Sequence, residues 1–93
     1  MKIYISGPMT GKPDLNREAF ERAAMALRGK GYEVINPHDI EQPVISWAAC
    51  MRQDIKALMD ADAIAMLTGW EDSNGARIEF HLAHKLGMKI VYL

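Results

Sequence analysis

The sequence predicts an α/β fold: a single 93-residue domain, residues 1–93, built as three layers around a four-stranded parallel sheet. Three observations carry this. Short apolar, β-prone runs alternate with longer stretches of helical periodicity, in the order β-α-β-α-β-α-β. Such alternation implies a parallel sheet with right-handed crossovers and helices on both faces. One of the runs, AIAML (63–67), is continuously apolar, as in strands buried on both sides.

The first strand is KIYIS (2–6). Asn16 to Lys30 reads as a helix, with Phe20, Ala23, Ala24 and Leu27 at helical spacing and Gly29 and Gly31 to end it. YEVIN (32–36) is a second strand, stopped by Pro37. Ser46 to Met59 forms a second helix, with Ser46 as N-cap and Trp47, Met51, Ile55 and Leu58 on one face. After AIAML, the stretch GWEDSNGARIEFHLAH (69–84) starts as a turn and becomes a helix over Ala76 to Leu86. KIVYL (89–93) is the last strand.

Ligands of open parallel sheets bind at the carboxyl ends of the strands. Four segments therefore converge on the expected site: 6–13, 36–39, 69–75 and the starts of the helices that follow.

Composition narrows the function. Eleven basic residues balance twelve acidic ones, net charge −1, without clustering, so no nucleic-acid partner is expected. A single cysteine, Cys50, precludes an internal disulfide and points to a reducing, cytoplasmic setting. The opening MKIYISGPM is too short and too broken for a signal peptide. No apolar run approaches the roughly 18 residues of a membrane span, so no membrane partner is expected.

Two carboxylates are out of place. Glu79 lies on the apolar stripe Ala76, Glu79, Leu82 or Ala83, Leu86. Its neighbours three and four residues away are Gly75, Ala76, Leu82 and Ala83, none able to pair with it. Asp54 borders the stripe of the second helix, among Cys50, Met51, Ala57 and Leu58. By contrast, Glu18 with Arg22 and Asp14 with Arg17 are ordinary solvated helix pairs. Burying an unpaired carboxylate costs several kcal/mol, which a small domain cannot spare without a reason. The ordinary alternatives are a first-turn acid on the helix dipole for Glu79 and an exposed mid-helix acid for Asp54. The chemistry that would use both is glycoside-type displacement. One carboxylate attacks an anomeric carbon, and an acid assists the leaving group from roughly 5 Å away.

Other motifs are less specific. GPMTGKP (7–13) is not a P-loop: its glycines are one residue too close, and Pro13 stands where a magnesium-binding hydroxyl belongs. Ser6, Gly7, Pro8, Met9, Thr10 and Gly11 suit either an anion-holding loop or a plain turn. Asp72, Ser73 and Asn74 suit helix caps that can also touch a ligand. Trp70 can stack on a planar base or pack internally. His38 and Asp39, with His81 and His84 on a helix, lack the converging ligands of a metal site, so no metal is expected. Cys50 has no cationic helical neighbour and reads as packing.

KIYISGPMTG, MRQDIKALMDADAIAML and GARIEFHLA, in this order, resemble the nucleoside 2-deoxyribosyltransferase-like superfamily, most closely its short, minimal branch. The similarity covers nearly the whole chain. It implies a flavodoxin-like fold and cleavage or transfer at the N-glycosidic bond of a nucleoside or nucleoside 5′-monophosphate. The alternative is a nucleotide or nucleotide-sugar binding module without turnover. By the resemblance, Glu79, following Gly75 in a Gly-x-x-x-Glu helix, is the nucleophile. Asp54 contacts the base and handles its proton, with Asp62 at the far end of the same segment. Tyr4 hydrogen-bonds the nucleophile, and Asp72 or Ser73 holds the sugar hydroxyl. No cofactor is implied. Ser73 stands where the superfamily's loop often carries an acid, and Phe80-His81-Leu82 replaces its Gly-Tyr pair. Because a neighbouring subunit often completes the site in that superfamily, a homo-oligomer, a dimer or larger, is expected.

Overall fold

The structure is a computed structural model that describes residues 1–41 and 46–93. It contains β1 (Lys2–Ser6), α1 (Arg17–Gly29), β2 (Glu33–Ile35), α2 (Trp47–Met59), β3 (Ala63–Met66), α3 (Asn74–Lys85) and β4 (Lys89–Tyr92). All strand pairs are parallel, in the order β2-β1-β3-β4. The chain steps from β1 to β2 in one direction, then crosses back to β3 and on to β4. The order thus reverses between β1 and β3, and that crevice is where a ligand of such a sheet sits.

Alternation along β1 builds two separate cores. Ile3 and Ile5 face α1, where Phe20, Ala24 and Leu27 pack with Ala63, Ala65 and Leu67. Tyr4 points the other way, where Leu58 of α2 and Ala76 and Ala83 of α3 pack with Ile64 and Met66. The fold is therefore the expected flavodoxin-like α/β/α sandwich, with α1 on one face and α2 and α3 on the other. All four β3 residues are buried, as their unbroken apolar run requires.

Element ends differ from the sequence expectation by a residue or two. β2 stops at Ile35 because Asn36 turns away; its side chain accepts a hydrogen bond from the His38 backbone N–H at 3.0 Å. α1 begins at Arg17, because Asp14, Leu15 and Asn16 form a left-handed turn with φ of 49°, 53° and 62°. α3 begins two residues early, at Asn74, because Ser73 is its N-cap and accepts from the Ala76 N–H at 3.2 Å. Ser46 caps α2 as expected, accepting from Ala49 N–H at 3.0 Å.

The helix faces need sharper correction. In α2 the buried residues are Met51, Asp54 and Leu58. Trp47, expected in the core, is 49% exposed, and Ile55 is only half-buried. In α3 they are Ala76, Glu79 and Ala83, while Leu86, expected on that stripe, is 60% exposed past the helix end. In α1, Ala23 is half-buried. Among the described residues no helix is long and apolar enough to cross a membrane.

Candidate active site

Above the carboxyl ends of β1 and β3 opens a cleft of about 1240 Å³. The segments that line it were separate in sequence: β1 and its exit loop, the turn after β2, the start of α2, the loop after β3 and the first two turns of α3.

Glu79 forms the floor. It is the sixth residue of α3, just past the first turn where the helix dipole acts, and only 5% exposed. Two hydroxyls from β1 donate to it. Tyr4 Oη lies 2.6 Å from Oε2, and Ser6 Oγ lies 2.6 Å from Oε1. Period-two alternation makes this possible, because Tyr4 and Ser6 stand two residues apart on the strand face that α3 covers. Among the described residues no Lys, Arg or His pairs with Glu79.

Burial pushes the Glu79 carboxyl up, to about 7. The hydrogen bonds from Ser6 and Tyr4 oppose that shift, and the nearby Asp54 charge adds to it. Asp54 reaches the same place from α2 and is also buried. Burial, then the charges of Glu79 and Asp54, drive the Tyr4 phenol well above its usual range, so Tyr4 stays a donor at any accessible pH. A carboxyl poised near 7 is partly ionised at neutral pH, which suits a nucleophile or a base.

The rim is built from backbone-rich turns. Ser6, Gly7, Pro8 and Met9 run along one wall. Gly7 is dictated by space: a Cβ there would lie 2.7 Å from Leu67 Cβ, where the exits of β1 and β3 pass each other. Asp72, Ser73, Asn74 and Gly75, at the start of α3, line another part of the rim. Gly75 lets Met51 of α2 approach closely, its Sδ 3.1 Å from where a Cβ would stand. Most of the residues singled out in the sequence as candidate catalytic or binding groups thus border one cleft: Tyr4, Ser6 to Met9, Asp54, Asp72 to Gly75, and Glu79.

Other expectations resolve differently. Asp62 lies at the amino ends of β1 and β3, away from the cleft, where its Oδ2 accepts from the Lys2 backbone N–H at 2.8 Å. Trp70 does not line the cleft; it stacks on Phe80 with ring centroids 4.4 Å apart. His38 does line it, its Nε2 3.0 Å from the Leu15 carbonyl and its ring edge-on to Phe20. Burial, then the Arg17 charge, lowers the His38 pKa. Among the described residues no three His, Cys, Asp or Glu side chains are grouped to hold a metal.

Three features of this cleft were not legible in the sequence. Trp47 was assigned to the core, yet stands exposed at the cleft. Leu15 and Arg17 reach the rim through the left-handed turn, which leaves no periodic signal. The Ser6 bond to Glu79 spans 73 residues of sequence, and only its alternation with Tyr4 could have suggested it.

The profile of one family, "Domain of unknown function (DUF4406)", matches residues 1–92. The chain belongs to the DUF4406 family. No curated protein sequence matches this DUF4406 chain. Among solved structures, it is similar to a 2-deoxyribosyltransferase from the psychrotolerant bacterium Bacillus psychrosaccharolyticus, with a TM-score of 0.76 and 20% identity. That match covers 99% of this chain and 71% of the other. It is likewise similar to a 2-desoxiribosyltransferase from Leishmania mexicana, with a TM-score of 0.77 and 22% identity over 99% of this chain and 63% of the other. The DUF4406 chain thus has the 2-deoxyribosyltransferase fold, and it spans less than two thirds of the Leishmania protein.

Proposed function

We propose that this protein cleaves or transfers the N-glycosidic bond of a nucleoside or nucleoside 5′-monophosphate, with Glu79 as nucleophile. One observation carries the reading: a buried carboxylate without a cation partner among the described residues, held by two hydroxyls at the floor of a cleft. A purely structural carboxylate would be expected to pair with a cation or reach solvent. The shared fold of the two transferases supports the same chemistry.

The steps balance as follows. A Glu79 oxygen attacks C1′ as the bond from C1′ to the base nitrogen breaks. The two neighbouring carboxyls share one proton, which Asp54 carries when Glu79 is the ionised nucleophile, and the departing base keeps the bonding electron pair and takes that proton. A glycosyl ester of Glu79 remains. Water or a second base then attacks C1′, gives its proton to Asp54 and frees Glu79. Water makes the reaction a hydrolysis; an acceptor base makes it a transfer. Asp72, Ser73 and Asn74 orient the sugar hydroxyls, and the Ser6 to Met9 wall holds the sugar or its phosphate. The reaction needs no cofactor.

The same reading gives a homo-oligomer, a dimer or larger, working in the cytoplasm. A cleft of about 1240 Å³ exceeds the usual 300–1,000 Å³ of a small-molecule site, which leaves room for a neighbour to close it. A monomer mass in sedimentation equilibrium would contradict the oligomer.

Liquid chromatography of nucleosides and 5′-monophosphates incubated with the protein tests the activity. Free base is expected, and a new nucleoside when an acceptor base is present. If every substrate binds but stays intact, the protein is a nucleotide-binding module and the mechanism is wrong.

A further inference from the structure

Taking Glu79 as the nucleophile, its two oxygens are not equivalent. Tyr4 and Ser6 sit on one face of β1, two residues apart and so about 6–7 Å apart along the strand. Ser6 is the last residue of the strand, and its successor, Gly7, already borders the cleft. Tyr4 stands one step further from the strand's carboxyl end and packs with Leu58, Ile64 and Met66; both side chains are buried and both border the cleft. Ligands of such sheets bind beyond the carboxyl ends of the strands. Of the two carboxylate oxygens, Oε1 is thus held by the residue nearer that carboxyl end, Ser6, and Oε2 by the residue set further back, Tyr4.

We propose that Ser6 is a positioning residue, whose hydroxyl holds Glu79 Oε1 on the cleft side as the attacking oxygen while Tyr4 anchors Oε2.

The two donors also differ in freedom. The Tyr4 ring is clamped by its packing, which fixes the phenol oxygen, and conjugation with the ring keeps its O–H near the ring plane. The Ser6 proton turns more freely about its Cβ–Oγ bond. It can aim its proton at Oε1 before attack and relax when that oxygen bonds to C1′ and loses its charge. A donated hydrogen bond also favours the ionised carboxylate. The other groups facing Glu79 do not replace it. Asp54 from α2 disfavours that ionisation, the Tyr4 phenol is engaged with the other oxygen, and Asp72 lies at the rim of the cleft.

The test compares the native protein with Ser6→Ala and Ser6→Thr. With ¹³C-labelled glutamate, the Glu79 carboxyl is titrated by NMR, its signal assigned by its loss in Glu79→Gln. In parallel, kcat and KM are measured against pH on the best substrate. In Ser6→Ala the Glu79 midpoint should rise by about one pH unit. Its kcat on the high-pH plateau should fall about 10- to 100-fold, as expected for losing a hydrogen bond to a charged group, with KM within about threefold of native. Ser6→Thr, which keeps the hydroxyl, should restore both. An unchanged Glu79 midpoint in Ser6→Ala would overturn the proposal. So would a raised midpoint with native plateau kcat, because Ser6 would then merely satisfy a buried charge. If the native protein releases no base from any substrate, the glycosidic reading fails and the attacking-oxygen assignment falls with it. The titration would then still report whether Ser6 holds the carboxylate.

Discussion

Burial, helped by the Asp54 charge, outweighs the two hydroxyl bonds to Glu79, so its ionisation works against the fold. Its folded-state midpoint, about 7, stands above the ordinary 4.5. Between those values the native state binds more protons than the unfolded chain, and stability falls as pH rises through the window. The full loss is on the order of 3 kcal/mol. Glu79→Gln removes this titration and keeps the shape. Urea unfolding should find the variant more stable than native at pH 8 and close to native at pH 5; equal stabilities at both would show that Glu79 ionises freely. Both Glu79 and Asp54 were visible in the sequence for a physical reason: each sits on or beside an apolar stripe with no cation three or four residues away. The residues misread are also physical cases. Trp47 and Leu86 obey helical periodicity, but each lies at or just past a helix end, where the stripe runs out beyond the sheet.

At the scale of elements, strands and helices were legible because their periods differ, 2 against 3.6. The turns between them were less so, because close approach and left-handed backbone depend on distant neighbours. Gly7 reads as a turn glycine in the sequence, yet its φ is not positive; it is needed because Leu67 leaves no room for a Cβ. Gly7→Ala should cost about 1–3 kcal/mol and displace Ser6 from Glu79. Chemical denaturation checks the first effect, and a raised Glu79 midpoint by NMR the second. Leu15 shows the reverse case, a branched apolar residue held at φ 53° between Asp14 and Asn16. The turn persists through the Leu15 N–H to Lys12 carbonyl bond at 3.1 Å and the Asn16 side chain on the Pro8 carbonyl at 3.0 Å. Left-handed backbone costs most non-glycine residues about 1–2 kcal/mol, and asparagine tolerates it better. Leu15→Asn should therefore raise Tm by a few degrees in a thermal melt. No rise would mean that contacts of the Leu15 side chain with its surroundings outweigh the strain.

For the whole molecule, alternation of elements was enough to give a parallel sheet covered on both faces. The strand order β2-β1-β3-β4 was not written in any one segment, although the unbroken AIAM of β3 agrees with a central place. What that order does is bring α3, carrying Glu79, against the face of β1 that carries Tyr4 and Ser6, and bring Asp54 of α2 beside them. The cleft is thus a property of topology, and its floor a property of four side chains. The most direct measurement is the rate of base release from the best nucleoside or 5′-monophosphate by the native protein and by Glu79→Gln. The variant keeps the cleft and loses only the attacking charge. A fall of about 10³-fold or more, with substrate still bound, is the predicted result. Base release by Glu79→Gln at the native rate would contradict the account.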